Sequence, residues 1–186
     1  MNEIRRPILL EKLLIALALQ VGSEVSYNEV AQTIGTDNKT VEKYIDLLEK
    51  CYVIFRLNAF NRNLRTELKK SKKIYFYDNG IRNAVIQNFA PLSLRQDTGA
   101  LWENFFISER IKANHYNGNY AKSFFWRTTQ QPEIDYIEEA DGNFTAFEMK
   151  WNPNKRPITF PSPFLNNYPV KETVVITPEN YLEWVM

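Results

Sequence analysis

Residues 132–150 read PEIDYIEEADGNFTAFEMK, two apolar-rich runs joined by Asp141-Gly142. Asp-Gly between alternating segments is a hairpin signal, because both turn positions need a backbone conformation those two residues tolerate. The turn is expected over Ala140-Asp141-Gly142-Asn143. Residues two apart in a strand share a face, so Glu133, Asp135 and Ile137 point one way and Ile134 and Tyr136 the other. In the partner run Glu148 and Lys150 point together, while Phe147 and Met149 turn to the opposite layer. Matched faces then bring Asp135, Glu148 and Lys150 onto one patch. Two carboxylates held close repel unless a cation lies between them. Mg²⁺ keeps several waters, so two carboxylates suffice to anchor it. A lysine beside it can hold an attacking water or offset charge developing on a phosphoryl group. The alternative is a solvated hairpin face, with Glu148 and Lys150 an exposed ion pair contributing under ~1 kcal/mol.

The 186 residues leave room for one large domain or two small ones. An apolar fraction of 44%, with 12 Phe, 10 Tyr and 4 Trp, implies a packed core rather than a disordered chain. A net charge of +1 excludes a strongly basic coat but not a local basic patch. Cys51 is the only cysteine, so no internal disulfide can form and a cytoplasmic setting is expected. The longest apolar run, Leu13 to Leu19, is too short for a bilayer, and MNEIRRP lacks a small-residue cleavage site after it. No membrane partner is expected. With His115 the sole histidine, a zinc site of histidines and cysteines is excluded. Neither G-x-x-x-x-G-K-[ST] nor G-x-G-x-x-G occurs, so these residues hold no P-loop.

The N-terminal third reads as three helices. ILLEKLLIALALQVG gives a buried helix over about residues 8–21, stopped by Gly22. Ser26 and Glu29 have capping-box spacing, and that second helix closes at Gly35. Asp37 caps a third, whose Val41, Ile45 and Leu48 form one apolar stripe. A tight glycine turn between the second and third resembles a helix-turn-helix. Two strand-like runs, YVIFRLNAF (52–60) and IYFYD (74–78), then flank a loop. That loop carries Arg62, Arg65, Lys69, Lys70, Lys72 and Lys73 against Glu67 alone. A hairpin in this place is the wing of a winged helix, and so basic a wing suits a phosphate backbone. Against this, the third helix sets Lys39, Lys43 and Lys50 against Asp37, Glu42, Asp46 and Glu49. Base-reading helices seldom carry that balance. A packing or regulatory adaptor is the alternative. A winged helix-turn-helix is thus assigned to residues 1–77.

Residues 78–186 read as a second, α/β domain. Asp78 or Asn79 caps a short helix, and a long helix is expected over 97–115. KSFFWRT, EIDYIEE, FTAFEMK and TVVIT are strand-like, and ENYLEWV closes as a short helix. This order suggests a helix-covered mixed sheet. Arg127, in FFWRT, is a solvent charge or a phosphate contact.

Asp135, twelve residues, then Glu148-x-Lys150 is the pattern carried by PD-(D/E)XK nucleases. The chain as a whole resembles the region that follows the ATPase domain in a family of bacterial and archaeal AAA-type ATPases. The matching stretches are LLIALALQVGSEVSYNEVAQTIGTDNKTVEKYIDLLEKCYVIFRL, KIYFYDNGIRNA, GALWENFFISE, FFWRTTQQPEIDYI and TAFEMK, most of residues 8–150. The resemblance implies a winged helix followed by a restriction-endonuclease-like α/β domain with a mixed sheet. It implies Glu103, Asp135 and Glu148 as ligands of Mg²⁺ or Mn²⁺, with Lys150 catalytic. It also implies DNA as a partner and an AAA-type ATPase domain in cis or in trans. Two functions follow from it: a metal-dependent nuclease module, or a non-catalytic DNA- or protein-binding module that keeps the scaffold. Gln131-Pro132 and WNPNKRP, which follows Lys150, depart from the family pattern and bear on substrate access.

Overall fold

The computed structural model describes residues 7–60, 72–128, 132–152 and 158–186. Its helices begin where short polar side chains meet free backbone N–H groups. Helix α1 (Pro7–Leu19) instead opens on proline, which has no N–H to leave unpaired, and buries Leu9, Leu13, Leu17 and Ala18. It stops two residues short of the expected end. In α2 (Tyr27–Ile34) the Ser26 hydroxyl accepts from the Glu29 N–H, and Gly35 closes the helix at φ 75°. In α3 (Asn38–Lys50) the Asp37 carboxylate accepts from both the Thr40 N–H and its hydroxyl. Val41, Tyr44, Ile45 and Leu48 form its buried stripe. Strands β1 (Ile54–Ala59) and β2 (Lys72–Phe76) follow, then α4 (Asn79–Val85). Of the two candidate caps it is Asp78 that accepts from the Ile81 N–H, at 2.9 Å.

The chain forms two compact units. Among the described residues the first comprises 7–56 and 72–95, the second 57–60, 96–128, 132–152 and 158–186. The first unit takes in α4, beyond the 1–77 expected, because buried Arg82 donates from Nε to the Ala18 carbonyl at the end of α1. Of the expected basic loop, residues 61–71 lie outside the described residues. Lys72 and Lys73 are not loop residues: the Val25 N–H donates to the Lys72 carbonyl, and Lys73, opposite Glu24, is 2% exposed. Backbone pairing against 24–25 extends β2 back over them.

The second unit begins with α5 (Thr98–Tyr116), one residue from its expected bounds. It continues through β3 (Lys122–Arg127), β4 (Glu133–Ala140), β5 (Asn143–Met149), α6 (Ser162–Asn167), β6 (Val170–Ile176) and α7 (Leu182–Val185). Strand order is β2-β1-β3-β4-β5-β6. β3, β4 and β5 form an antiparallel meander, while β1 runs parallel to β3 and β6 parallel to β5. The described residues thus form a mixed α/β fold with a six-stranded mixed sheet and seven α-helices. The β4–β5 turn is the expected one: Asp141 and Gly142 both have positive φ, 52° and 78°, the two-residue geometry matched to strand twist.

Two apolar layers cover the sheet of this unit. Phe124, Trp126, Phe144 and Ala146 cluster with Phe164, the fully buried anchor of the short α6. Tyr136 and Phe147 touch each other, and Phe147 also meets Phe106 of α5 and Trp184 of α7. A polar network crosses this second layer. Buried Glu138 receives Nε and NH2 of Arg110 at 2.9 and 2.8 Å, Asn114 Nδ2 at 2.5 Å and the Tyr136 hydroxyl at 3.0 Å. Arg110 also donates to the Trp184 carbonyl at 2.7 Å, which fixes α7 against α5. No helix of the described residues is long and apolar enough to cross a membrane.

Removing one partner of such a pair leaves the other charge buried and uncompensated, which costs about 3–5 kcal/mol. Glu138→Ala is therefore expected to lower unfolding free energy by that amount in a urea titration. The double variant R110M/E138M should lose clearly less, because no stranded charge remains.

Candidate functional site

The hairpin register determines which side chains meet. β4 and β5 pair from Ala140↔Asn143 through to Tyr136↔Phe147. Beyond that pair strict alternation fails: β4 bulges against β3 between Ile137 and Ile134, so Ile134 packs in one cluster with Ile137 rather than sharing a face with Tyr136 as expected, and Asp135 comes to lie within electrostatic reach of Glu148. The Met149 N–H donates to Asp135 Oδ2 at 3.2 Å, so the aspartate is fixed to the end of β5. Lys150, the first residue past that strand, donates from Nζ to Glu148 Oε2 at 3.1 Å. Its backbone N–H donates to the Ile176 carbonyl at 2.9 Å, so β6 positions it.

The electrostatics follow from this crowding. Glu148 is only 8% exposed. Burial first, and the neighbouring Asp135 second, push its carboxyl up to about 7, while the Lys150 ammonium acts in the opposite sense. For Lys150 burial is the largest single influence and lowers the pKa, but the charges of Glu148, Asp135 and Glu103 outweigh it and the net shift is upward. Glu103 thus lies within electrostatic reach of the amine. The residue before it, Trp102, meets the residue after Lys150, Trp151, with ring centroids 5.7 Å apart. That contact ties the helix carrying Glu103 to the strand end carrying Lys150.

The four expected residues therefore share one neighbourhood, but not as the expected triad of ligands. Among the described residues no three His, Cys, Asp or Glu side chains form a group able to hold a metal ion. What the sheet presents is a pair, Asp135 and Glu148. Two neighbouring carboxylates, one of them driven toward its neutral form by burial and then by the other's charge, still suit Mg²⁺ or Mn²⁺, which bind through one or two carboxylates and retain water. Glu103 acts on Lys150 rather than completing a three-carboxylate set.

The expected nucleic-acid contacts divide. Arg62, Arg65, Lys69 and Lys70 lie outside the described residues. Lys72 sits with its ammonium 5.2 Å from the Tyr27 ring centroid, and Lys73 is buried. Arg127 ends β3, exposed, with Nε 3.8 Å from Glu133 Oε2. Two groups escaped the sequence reading. Arg56, the one charge in the apolar run YVIFRLNAF, holds both Asp46 (2.7 Å) and Glu49 of α3. Arg110 and Glu138 pair across the second layer, a partnership that helix and strand periodicity cannot show. Trp151, in the WNPNKRP segment read as bearing on substrate access, packs on Trp102.

Residues 1–92 match the family model described as Domain of unknown function (DUF8612), and residues 98–184 match Domain of unknown function (DUF4143). The boundary between the two matches agrees with the division of the chain near residue 95. An uncharacterised protein of Mycobacterium tuberculosis is 29% identical over 136 residues, covering 72% of this chain and 30% of that protein. An uncharacterised protein of Methanocaldococcus jannaschii is 29% identical over 106 residues, 53% of this chain and 22% of its own length. An uncharacterised Bro-N domain-containing protein of Acanthamoeba polyphaga mimivirus is 28% identical over 116 residues, 61% of this chain and 56% of its own. The chain thus spans about a third or less of the cellular relatives it matches. No solved structure matches.

The Glu148 carboxyl titrates near 7 when folded and near 4.5 when free. Between those values the folded protein retains a proton that the unfolded chain has lost, so stability falls as pH rises from about 4.5 to 7 and levels off above. The loss is about 1–3 kcal/mol. Thermal melts across that range should show it, and Glu148→Gln should flatten the profile. Mn²⁺ should raise the melting temperature of the wild-type protein more at pH 8 than at pH 5.

Proposed function

We propose that the second unit is a restriction-endonuclease-like, divalent-metal-dependent phosphodiesterase module. The first unit would be a winged helix that brings it to DNA beside an AAA-type ATPase domain, in cis or in trans. The observation that carries this reading is the neighbouring Asp135–Glu148 pair with the Lys150 amine 3.1 Å from Glu148. Such crowding of like charge is unfavourable unless something positive joins it. Mg²⁺ or Mn²⁺ held by Asp135 and Glu148 supplies Lewis acidity toward a phosphoryl oxygen. Lys150, kept ionised by the surrounding carboxylates, orients water toward the phosphorus and offsets charge on the phosphoryl oxygens. Glu103 holds that ammonium in place electrostatically. Asp135, bound to the Met149 N–H, keeps its orientation through the reaction.

Support for the first unit comes from its three helices followed by β1 and β2, and from Arg56. By engaging Asp46 and Glu49, Arg56 compensates the acids that weighed against nucleic-acid contact, while Lys39, Lys43 and Lys50 remain exposed on α3. Support for the ATPase association comes from the family resemblance and from the greater length of the relatives.

A second reading is a non-catalytic DNA- or protein-binding module built on the same scaffold. It is favoured by the carboxylates forming a pair rather than a triad, and by Lys150 already being ion-paired.

Purified protein incubated with supercoiled plasmid and Mn²⁺ should produce nicked circles. Asp135→Ala and Lys150→Ala should each slow nicking about 10²-fold or more. Nicking that persists at full rate in both variants would refute the assignment. Mn²⁺-dependent stabilisation without nicking would select the second reading.

A further inference from the structure

Trp151 follows Lys150 directly and is 42% exposed, an unusual position for an indole. It is not loosely held. Its ring meets Trp102 edge to face at an interplanar angle of 66°. Trp102 is itself buried, donates its indole N–H to the Ile176 carbonyl at 3.3 Å, and packs on Phe105 and Tyr181. The exposed ring therefore projects from a fixed aromatic base, and much of its rotamer freedom is already lost. The Ile176 carbonyl also accepts the Lys150 backbone N–H, so the backbone of Lys150 and the Trp102 ring on which Trp151 packs share one anchoring point.

We propose that Trp151 is a stacking platform for a nucleobase, and that the Asp135–Glu148–Lys150 site is fitted to single-stranded nucleic acid. This rests on the phosphodiesterase reading above and names the substrate class for that site. An aromatic face contributes about 1–3 kcal/mol per stacked base and tolerates any sequence, because every base has a π-face. In a duplex the bases stack on each other and are not available to a side chain. An unpaired base is free to cover the indole while its phosphate reaches the lysine next in sequence. Base stacking beside a phosphate-directed ammonium is a recurrent way of holding single strands. A ring that served only to cap the aromatic cluster would affect stability without distinguishing single strands from duplex.

The test is fluorescence anisotropy of the full chain with labelled short single-stranded DNA, single-stranded RNA and the matching DNA duplex, in Ca²⁺ to limit cleavage. The wild-type protein should prefer single strands. Trp151→Ala should weaken single-strand binding by about 5- to 100-fold, with a smaller loss on duplex, so that the preference shrinks. Trp151→Phe should keep most of it. If Trp151→Ala lowers the melting temperature sharply, Trp151→Leu, which keeps apolar contact but no π-face, should give the same loss of preference. Equal losses on single strands and duplex, or no loss on either, would overturn the stacking role. If plasmid nicking then still depends on Asp135 and Lys150, the phosphodiesterase reading stands without it. If the wild-type protein neither binds any of the three probes nor is stabilised by Mn²⁺, both fall together.

Discussion

A two-residue turn governs the chemistry of this molecule. Because Asp141 and Gly142 can both take positive φ, β4 and β5 are joined with no slack, and their register is fixed from Ala140↔Asn143 onward. A shift of one residue would send every side chain of one strand to the other face. Asp135 would then part from Glu148, and Tyr136 would leave the layer it shares with Phe147. The same register thus serves packing and charge placement at once. Burial of Phe147 and Tyr136 against α5 and α7 stabilises the arrangement that holds the two carboxylates together.

The two buried acids of the hairpin illustrate how environment separates roles. Glu138 is surrounded by fixed donors, Arg110, Asn114 and Tyr136, and reads as structural. Glu148 is equally hidden but faces another carboxylate and one ammonium. Burial alone distinguishes neither. The identity of the neighbours does.

Much of this was legible in the chain because it depends on local chemistry. The Asp-Gly turn, the Ser26 and Asp37 caps and the strand alternation are short-range signals, and each element they define is present close to its expected bounds. The nearness of Asp135, Glu148 and Lys150 was legible only in part: the turn length brings the two strand ends together, but the bulge that breaks alternation between Ile134 and Ile137 has no sequence signature. What failed to show was long-range. Lys73 looked like part of a solvated loop, because the backbone pairing of 24–25 with 72–73 has no sequence signature. The engagement of Asp46 and Glu49 by Arg56, the Arg110–Glu138 pair and the Trp102–Trp151 contact all join distant segments. Glu103 was read from a family pattern rather than from local signals, and its helix places it within electrostatic reach of Lys150.

The tightness of that turn has a kinetic corollary. A hairpin closed by two residues forms on the order of 1–10 μs, because little chain entropy opposes it. β6 reaches β5 only after the long connection from Met149 to Val170, and α5 must be docked from the other side. The two acids therefore meet early, while water still surrounds both. Their repulsion becomes costly only when helices and β6 close over them and the dielectric falls. The electrostatic strain of this site belongs to the last steps of assembly rather than to its nucleus.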